Sequence, residues 1–403
     1  MAVKVKIGLI GALDMLKFKN MAKVREKAIQ AAPALEITAD YTINKKAKAL
    51  HPDYQELVID KVIDHGAAGA KTFLMRSKDG GPVAYFRAGQ YLSLKLGIGE
   101  SSLSRPYSIS SSPKDALAGV VSVTVRSNPG GFAAEHMLAE FKEGDSVLSS
   151  GPQGNFYYEP LRDPEHIVAL AGGSGITPFL SMAQAIADGT EDFDLTILFG
   201  SRTKEQILFK DELDALAAGC DKIHVVHVLS DEEAEGFEHG FITANLIKKY
   251  AKEPYSVFVC GPEAMYKFLK GELEKLGLPR KNIRCEMLGV TKNIAEAEGF
   301  PKETVGKEFD ITVRQGAYEY AIKAYAEEPV LVAIERAGIT APSRCRSGEC
   351  GWCRSKVISG TYFAPAENEN RRYSDIQWNY IHPCATFPTS DMVIEVPAEY
   401  TPK

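Results

Sequence analysis

A multidomain fold is predicted: an antiparallel β-barrel, then a doubly wound α/β domain, then a small α+β domain. Three patterns predict it. Residues 54–160 hold short apolar runs of period two separated by Gly, Pro and Ser, which suits a closed antiparallel barrel. Residues 161–290 change to buried apolar runs alternating with helical stretches, the signature of a parallel sheet. Residues 309–403 hold four of the seven cysteines, three of them within nine positions.

The barrel runs include "QELVIDKVIDHG", "KTFLMRSK", "QYLSLKLG", "VVSVTVRS" and "DSVLSSGP". Among them lies "RPYSISSSP", Arg105 to Pro113. Arg105 offers a planar fork for phosphate, Tyr107 an aromatic face and Ser108 a short donor for a ring nitrogen. Read by itself, the string is equally a solvated strand end.

In the second domain "EHIVALAGGSGITPFLSMAQAI" gives a strand, a glycine turn and a helix. Gly172, Gly173 and Gly175 allow close approach to a pyrophosphate, Thr177 is expected as the N-cap, and Pro178 suits the first helical position. The turn then aims a helix N-terminus at an anion. Further buried strands are expected at "DLTILFGSR", "DKIHVVHVLS" and "YSVFVCGPEAM", whose C-terminal ends bring Gly200 to Arg202 and Cys260 to Met265 to the ligand side of the sheet.

The cysteines read Cys345-x4-Cys350-x2-Cys353, with Cys384 later. This is the spacing of a plant-type [2Fe–2S] cluster. Zinc, with His382 near Cys384, is the alternative. The small residues Ser347, Gly348 and Gly351 favour iron–sulfur, because a tight loop turns its amides toward the cluster sulfurs.

"RPYS", "GGSGITP", "CGPEAM" and the cysteine spacing, in this order over residues 54–403, resemble the ferredoxin–NADP reductase superfamily with a C-terminal plant-type ferredoxin domain. The resemblance implies a flavin-binding barrel, an NAD(P)-binding domain and a ferredoxin-like [2Fe–2S] domain. It implies that Arg105, Pro106, Tyr107 and Ser108 hold the flavin, Ser108 near its reactive nitrogen. "GGFAAEHML" matches the second flavin-phosphate motif through Gly130, Gly131, Phe132 and Ala133, although the usual serine falls at Ala134 here. FAD is expected over FMN because "GPQGNF" is kept. Gly172, Gly173, Gly175, Ile176, Thr177 and Pro178 would cradle the nicotinamide cofactor's pyrophosphate, and Cys260, Gly261 and Pro262 would border its ring. Ser108 and Cys260 are thus the candidate catalytic residues, and Cys345, Cys350, Cys353 and Cys384 the candidate iron ligands. NADH and NADPH both remain open; Ser201, Arg202 and Lys204 at the second strand's end lean toward a 2′-phosphate.

The implied activity is NAD(P)H oxidation, with electrons passing through flavin and cluster to a protein acceptor. A nicotinamide gives two electrons at once and the cluster takes one, so a flavin belongs between them. An electron-relay or regulatory subunit is the alternative reading. Arg344, Arg346, Arg354, Lys356, Arg371 and Arg372 suggest a basic collar around the cluster loop and an acidic docking face on the partner. A net charge of −6 argues against nucleic-acid binding. The apolar run "IGLIGALDML" is far shorter than the ~20 residues a transmembrane helix needs, and the expected location is cytoplasmic. Residues 1–53 lie outside the resemblance and are expected to be helical up to Pro33, and 291–308 are expected to form a flexible linker. No oligomeric state follows from the sequence.

Overall fold

The computed structural model describes residues 9–32, 41–127, 130–286, 289 and 293–399. Two compact units result, Met1–Ala47 and Lys48–Lys403. In the first, α1 (Leu9–Ala31) is followed by α2 (Thr42–Leu50), which runs into the second unit. Pro33, expected to end the helix, lies outside the described residues. Among those residues no helix is long and apolar enough to cross a membrane.

The second unit opens with β1 (Gln55–Asp64), β2 (Ala70–Ser77), β3 (Tyr91–Ile98), β4 (Ser101–Ser108), β5 (Val120–Arg126) and β6 (Ser146–Ser149). Their order is β4-β3-β6-β1-β2-β5, antiparallel throughout. A bridge from Ile109 to Val123 curls the two ends together, so the sheet hides its edges. Alternate residues fill the interior, among them Leu57 and Ile59 of β1, Phe73 and Met75 of β2, and Val121 and Val123 of β5. Two helices attach here, α3 (Pro113–Leu117), opened by a Ser112–Asp115 capping box, and α4 (Phe132–Glu140).

The chain then alternates β7 (His166–Gly172), α5 (Thr177–Ala187), β8 (Asp194–Ser201), α6 (Lys210–Gly219), β9 (Ile223–Leu229), β10 (Glu238–His239), α7 (Ala244–Tyr250), β11 (Tyr255–Cys260), α8 (Glu263–Glu274) and β12 (Ile283–Cys285). The sheet is parallel in the order β10-β9-β8-β7-β11-β12. Every residue of β7 and β11 is buried, as two-sided covering by helices requires. The order reverses between β7 and β11, which opens a crevice at their C-terminal ends. This is where the glycine turn and "CGPEAM" meet.

The last part comprises β13 (Glu308–Gln315), β14 (Tyr318–Tyr325), α9 (Val330–Arg336), β15 (Ser355–Ser359), β16 (Tyr362–Phe363), α10 (Tyr373–Gln377), β17 (Tyr380–Ile381), β18 (Phe387–Pro388) and β19 (Met392–Glu395). Its main sheet runs β14-β13-β19-β15-β17, with β16 and β18 paired separately.

The stretch before β13 differs from the expected tether. Ile294 and Phe300 are buried with Ala326 and Phe387, and Phe300 meets the Phe363 ring edge-on at 5.3 Å between centroids. Two apolar side chains in an otherwise polar segment are enough to dock it, since each buried one contributes roughly 1.5–3 kcal/mol.

Candidate functional site

Ser108 ends β4, paired across the ladder with Tyr91 of β3. Its hydroxyl reaches Glu286 Oε2 at 3.4 Å. Glu286 follows β12, and its own amide donates to Val259 O at 3.0 Å, which fixes it beside the end of β11. Burial first, and then the negative charge of Glu349, push its carboxyl well above the usual range. A carboxyl that keeps its proton can donate as well as accept. The Tyr91 phenol is likewise raised, by burial and next by the thiols of Cys345 and Cys350. The cluster loop and Ser108 therefore share one neighbourhood.

Pro106 and Tyr107 are half-buried on β4, and burial pushes the Tyr107 phenol up to about 12. Arg105 donates to Ser104 O at 2.9 Å and lies 3.6 Å from Glu335 of α9. Burial and then the charge of Arg346 bring its guanidinium down to about 10. Gly130 has φ +76 and Gly131 precedes α4, as a phosphate-binding turn needs, but the Gly130 amide is engaged by Glu135 Oε1 at 2.9 Å. Phe132 is exposed and Ala133 buried; Ala134 packs against the barrel core.

The nucleotide turn is built by close approach. A Cβ on Gly175 would sit 2.1 Å from Cys260 O, and one on Gly172 would sit 2.7 Å from Met265 Sδ and 2.9 Å from Pro262. One on Gly261 would meet the same sulfur at 2.6 Å. Glycine is therefore required where the two strand ends touch. Thr177 is not the N-cap. Gly173–Ile176 form a 3₁₀ turn continuous with α5, Ile176 takes the cap position, and the Thr177 hydroxyl donates back to Ser174 O at 3.0 Å. Pro178 sits in the first turn as expected.

Arg126, at the end of β5, was not anticipated. A Cβ on Gly173 would fall 2.5 Å from its Nη1, and burial and then the charge of Arg202 lower its guanidinium. Arg126 thus faces the turn, and the buried Ser201 hydroxyl has no partner. Those features fit an anionic nucleotide. Lys204 instead holds its ammonium 5.0 Å from the Phe237 ring. Cys260 is buried and its thiol is pushed well up by burial, so it stays protonated.

The four cysteines converge. Cys353 Sγ lies 3.4 Å from Cys384 Sγ, and thiol hydrogen bonds from Cys350 and Cys384 hold Cys345 well below its usual range. The amides of Ser347 and Cys350 point at Cys345 Sγ at 3.4 Å each, and that of Trp352 at Cys350 Sγ at 3.5 Å. The Ser347 hydroxyl is buried without a partner. A sulfide-bearing anion suits this amide-lined cage. His382 packs on the loop, with its Nδ1 bonding Gly348 O at 2.6 Å. Gly348, at φ +79, has no room for a Cβ, which would lie 2.5 Å from Asn368 O.

The basic collar does not form as expected. Arg344 is buried between the rings of Tyr54 and Trp352, Arg346 is buried on Glu335, Arg354 pairs with Asp375 and Arg371 with Glu369. Lys356, Arg372 and the paired Arg354 remain exposed.

This fold and site define a flavin-, nicotinamide- and [2Fe–2S]-dependent electron-transfer oxidoreductase. Models of three families match in succession, an oxidoreductase FAD-binding domain over residues 68–158, an oxidoreductase NAD-binding domain over 169–271 and a 2Fe-2S iron-sulfur cluster binding domain over 315–389. The chain is 30% identical over 318 residues to the 3-ketosteroid-9-alpha-monooxygenase ferredoxin reductase component of Mycobacterium tuberculosis, covering 76% of this chain and 84% of that one. It is 27% identical to the glycine betaine monooxygenase reductase subunit of Chromohalobacter salexigens over 77% of this chain and 87% of the relative. The fold matches phthalate dioxygenase reductase with a TM-score of 0.61 at 23% identity, over 86% of this chain and 98% of that chain. The chain belongs to the ferredoxin–NADP reductase superfamily, in the branch that carries a C-terminal plant-type ferredoxin domain.

Proposed function

We propose that this chain is the reductase component of an oxygenase, drawing electrons from NADPH in preference to NADH and delivering them singly to a separate protein. The observation that carries the reading is the shared neighbourhood of Ser108, Glu286, Tyr91 and the Cys345–Cys350 loop: the site for the flavin ring and the site for the cluster adjoin. The reductase names carried by the relatives support the oxygenase assignment.

Arg105, Tyr107 and Ser108 would hold the flavin, and Cys345, Cys350, Cys353 and Cys384 the iron. When bound, the flavin takes electrons in pairs and releases them one at a time, a division that neither nicotinamide nor the cluster makes alone. The protein's part is to place groups. The glycine turn and α5 bind the pyrophosphate, protonated Glu286 and Ser108 supply donors beside the ring, and the buried Cys260 thiol excludes water from the nicotinamide side. The like charges of Arg126 and Arg202, near enough for one to lower the other, support the preference for an extra phosphate. The specificity ratio kcat/KM for NADPH over NADH should exceed one in the parent protein and fall about tenfold or more in Arg202→Ala.

The divisions 1–53, 54–160, 161–290, 291–308 and 309–403 are proposed as domain limits, and each family-model span falls inside one of them. An acidic docking face on the acceptor would meet Lys356 and Arg372. The test of the functional reading uses two artificial acceptors. Cys384→Ser should keep nicotinamide-driven ferricyanide reduction and bring cytochrome c reduction to background; equal loss of both would contradict the assigned order.

A further inference from the structure

A largely buried charge cluster joins the ferredoxin-like part to the barrel, and one of its members is Arg105 of the flavin-site string. Glu335 lies on α9 and is 3% exposed. Its Oε1 accepts from Arg346 Nη1 at 2.5 Å, and its Oε2 lies 3.6 Å from Arg105 Nη1. Arg346 Nη1 also lies 3.4 Å from Ser104 O, the carbonyl to which Arg105 donates. Three side chains and one carbonyl thus tie α9, the cluster loop and β4 together.

Two guanidinium groups and a carboxylate are expensive to bury, and an apolar trio of the same size would commonly hold such an interface as well. What charges add is geometry, because each hydrogen bond fixes a direction. Arg346 shows what is being fixed. It directly follows Cys345 and has φ +59, a left-handed backbone that is strained for a non-glycine residue. The side chain of that bent residue is the one Glu335 grips. Nearby contacts are equally close: Ser93 Oγ donates to Arg344 O at 3.1 Å, and a Cβ on Gly338 would stand 3.2 Å from Glu100 O of the barrel.

We propose that Glu335 is a positioning residue for electron passage between flavin and cluster, holding the Cys345–Cys350 loop against the strand that bears Arg105, Tyr107 and Ser108. Its carboxylate meets Arg105 of the flavin-site string and Arg346, the residue after Cys345, and it acts through those two side chains. The inference rests on the reading of those two segments as the cluster and flavin sites. It also means that the cluster domain is seated rather than swinging, so its acceptor must come to it.

The test is Glu335→Gln in the full-length holoprotein, followed by anaerobic stopped-flow absorbance with reduced nicotinamide. Flavin bleaching should proceed at the parent rate while cluster bleaching slows about tenfold, as a small misplacement of reacting groups produces. Amide hydrogen exchange, read without nicotinamide, should quicken about tenfold over Ser101–Ser108 and Val330–Arg336. The cluster's reduction potential should not move. Glu335→Asp, which keeps the charge but withdraws the carboxylate by one methylene, should fall between Gln and the parent, and it decides the matter where the Gln variant loses its iron. Cluster bleaching at the parent rate in both variants would overturn the proposal, as would flavin bleaching that slows in step with it. Absence of flavin or cluster absorbance from the parent protein would instead overturn the functional reading.

Discussion

Glu286 shows how much one side chain can depend on packing. Its carboxyl is raised because it is buried and next because Glu349 is near, so the folded chain holds a proton that the unfolded chain gives up above about 4.5. A raised acid makes folding less favourable as pH climbs from the unfolded value through the folded one. Glu286→Gln should therefore gain thermal stability over the parent as pH rises above about 4.5; a gap independent of pH would refute this. Gly175 gives a harder prediction. With Cys260 O only 2.1 Å from an added Cβ, Gly175→Ala must part β7 from β11. It should lower stability by about 1–3 kcal/mol and abolish nicotinamide binding, read by thermal unfolding and by titration. Gly175 was legible in the sequence because a tight turn announces itself locally. Glu286 was not, since nothing around a lone glutamate after a three-residue strand marks it. The parallel register of Val259 with Cys285 is what brings it to Ser108, and that register exists only in three dimensions.

Among the elements, the parallel strands were readable because strands buried on both faces have no polar alternation to confuse, and the barrel strands because theirs is regular. The segment before β13 was misread because average polarity hides the anchors Ile294 and Phe300. Phe300→Ser should loosen it. Limited proteolysis would then cut near residues 293–308, where the parent resists. The β7–β8 pair carries a pH prediction. The His166 ring bonds Thr196 Oγ1 at 2.9 Å and backbone atoms of Lys252, and burial lowers its affinity for protons below the ordinary 6.5. The folded state then binds fewer protons than the unfolded one as pH falls below 6.5, and stability must decline on that side. Replacing His166 with Gln should flatten the acid limb of the thermal-midpoint profile.

At the level of the whole molecule, the order of the three parts was legible because each carries a short motif whose residue types are dictated by a bound group. Their mutual seating was not. It is made by Glu335 with Arg105 and Arg346, and at a second place by Glu399, which hydrogen-bonds Tyr54 and Lys95. Glu335 lies more than two hundred positions from Arg105, and Glu399 more than three hundred from Tyr54 and Lys95; in the sequence Arg346 reads as surface charge and Arg105 as a phosphate fork. Seating puts the cluster loop beside Ser108 and Glu286. The most direct test is anaerobic rapid mixing of the holoprotein with reduced nicotinamide, following the flavin band and the broader iron–sulfur absorbance together. The account predicts that flavin bleaches first and the cluster follows without any added carrier. A flavin that bleaches fully while the cluster stays oxidised would contradict it.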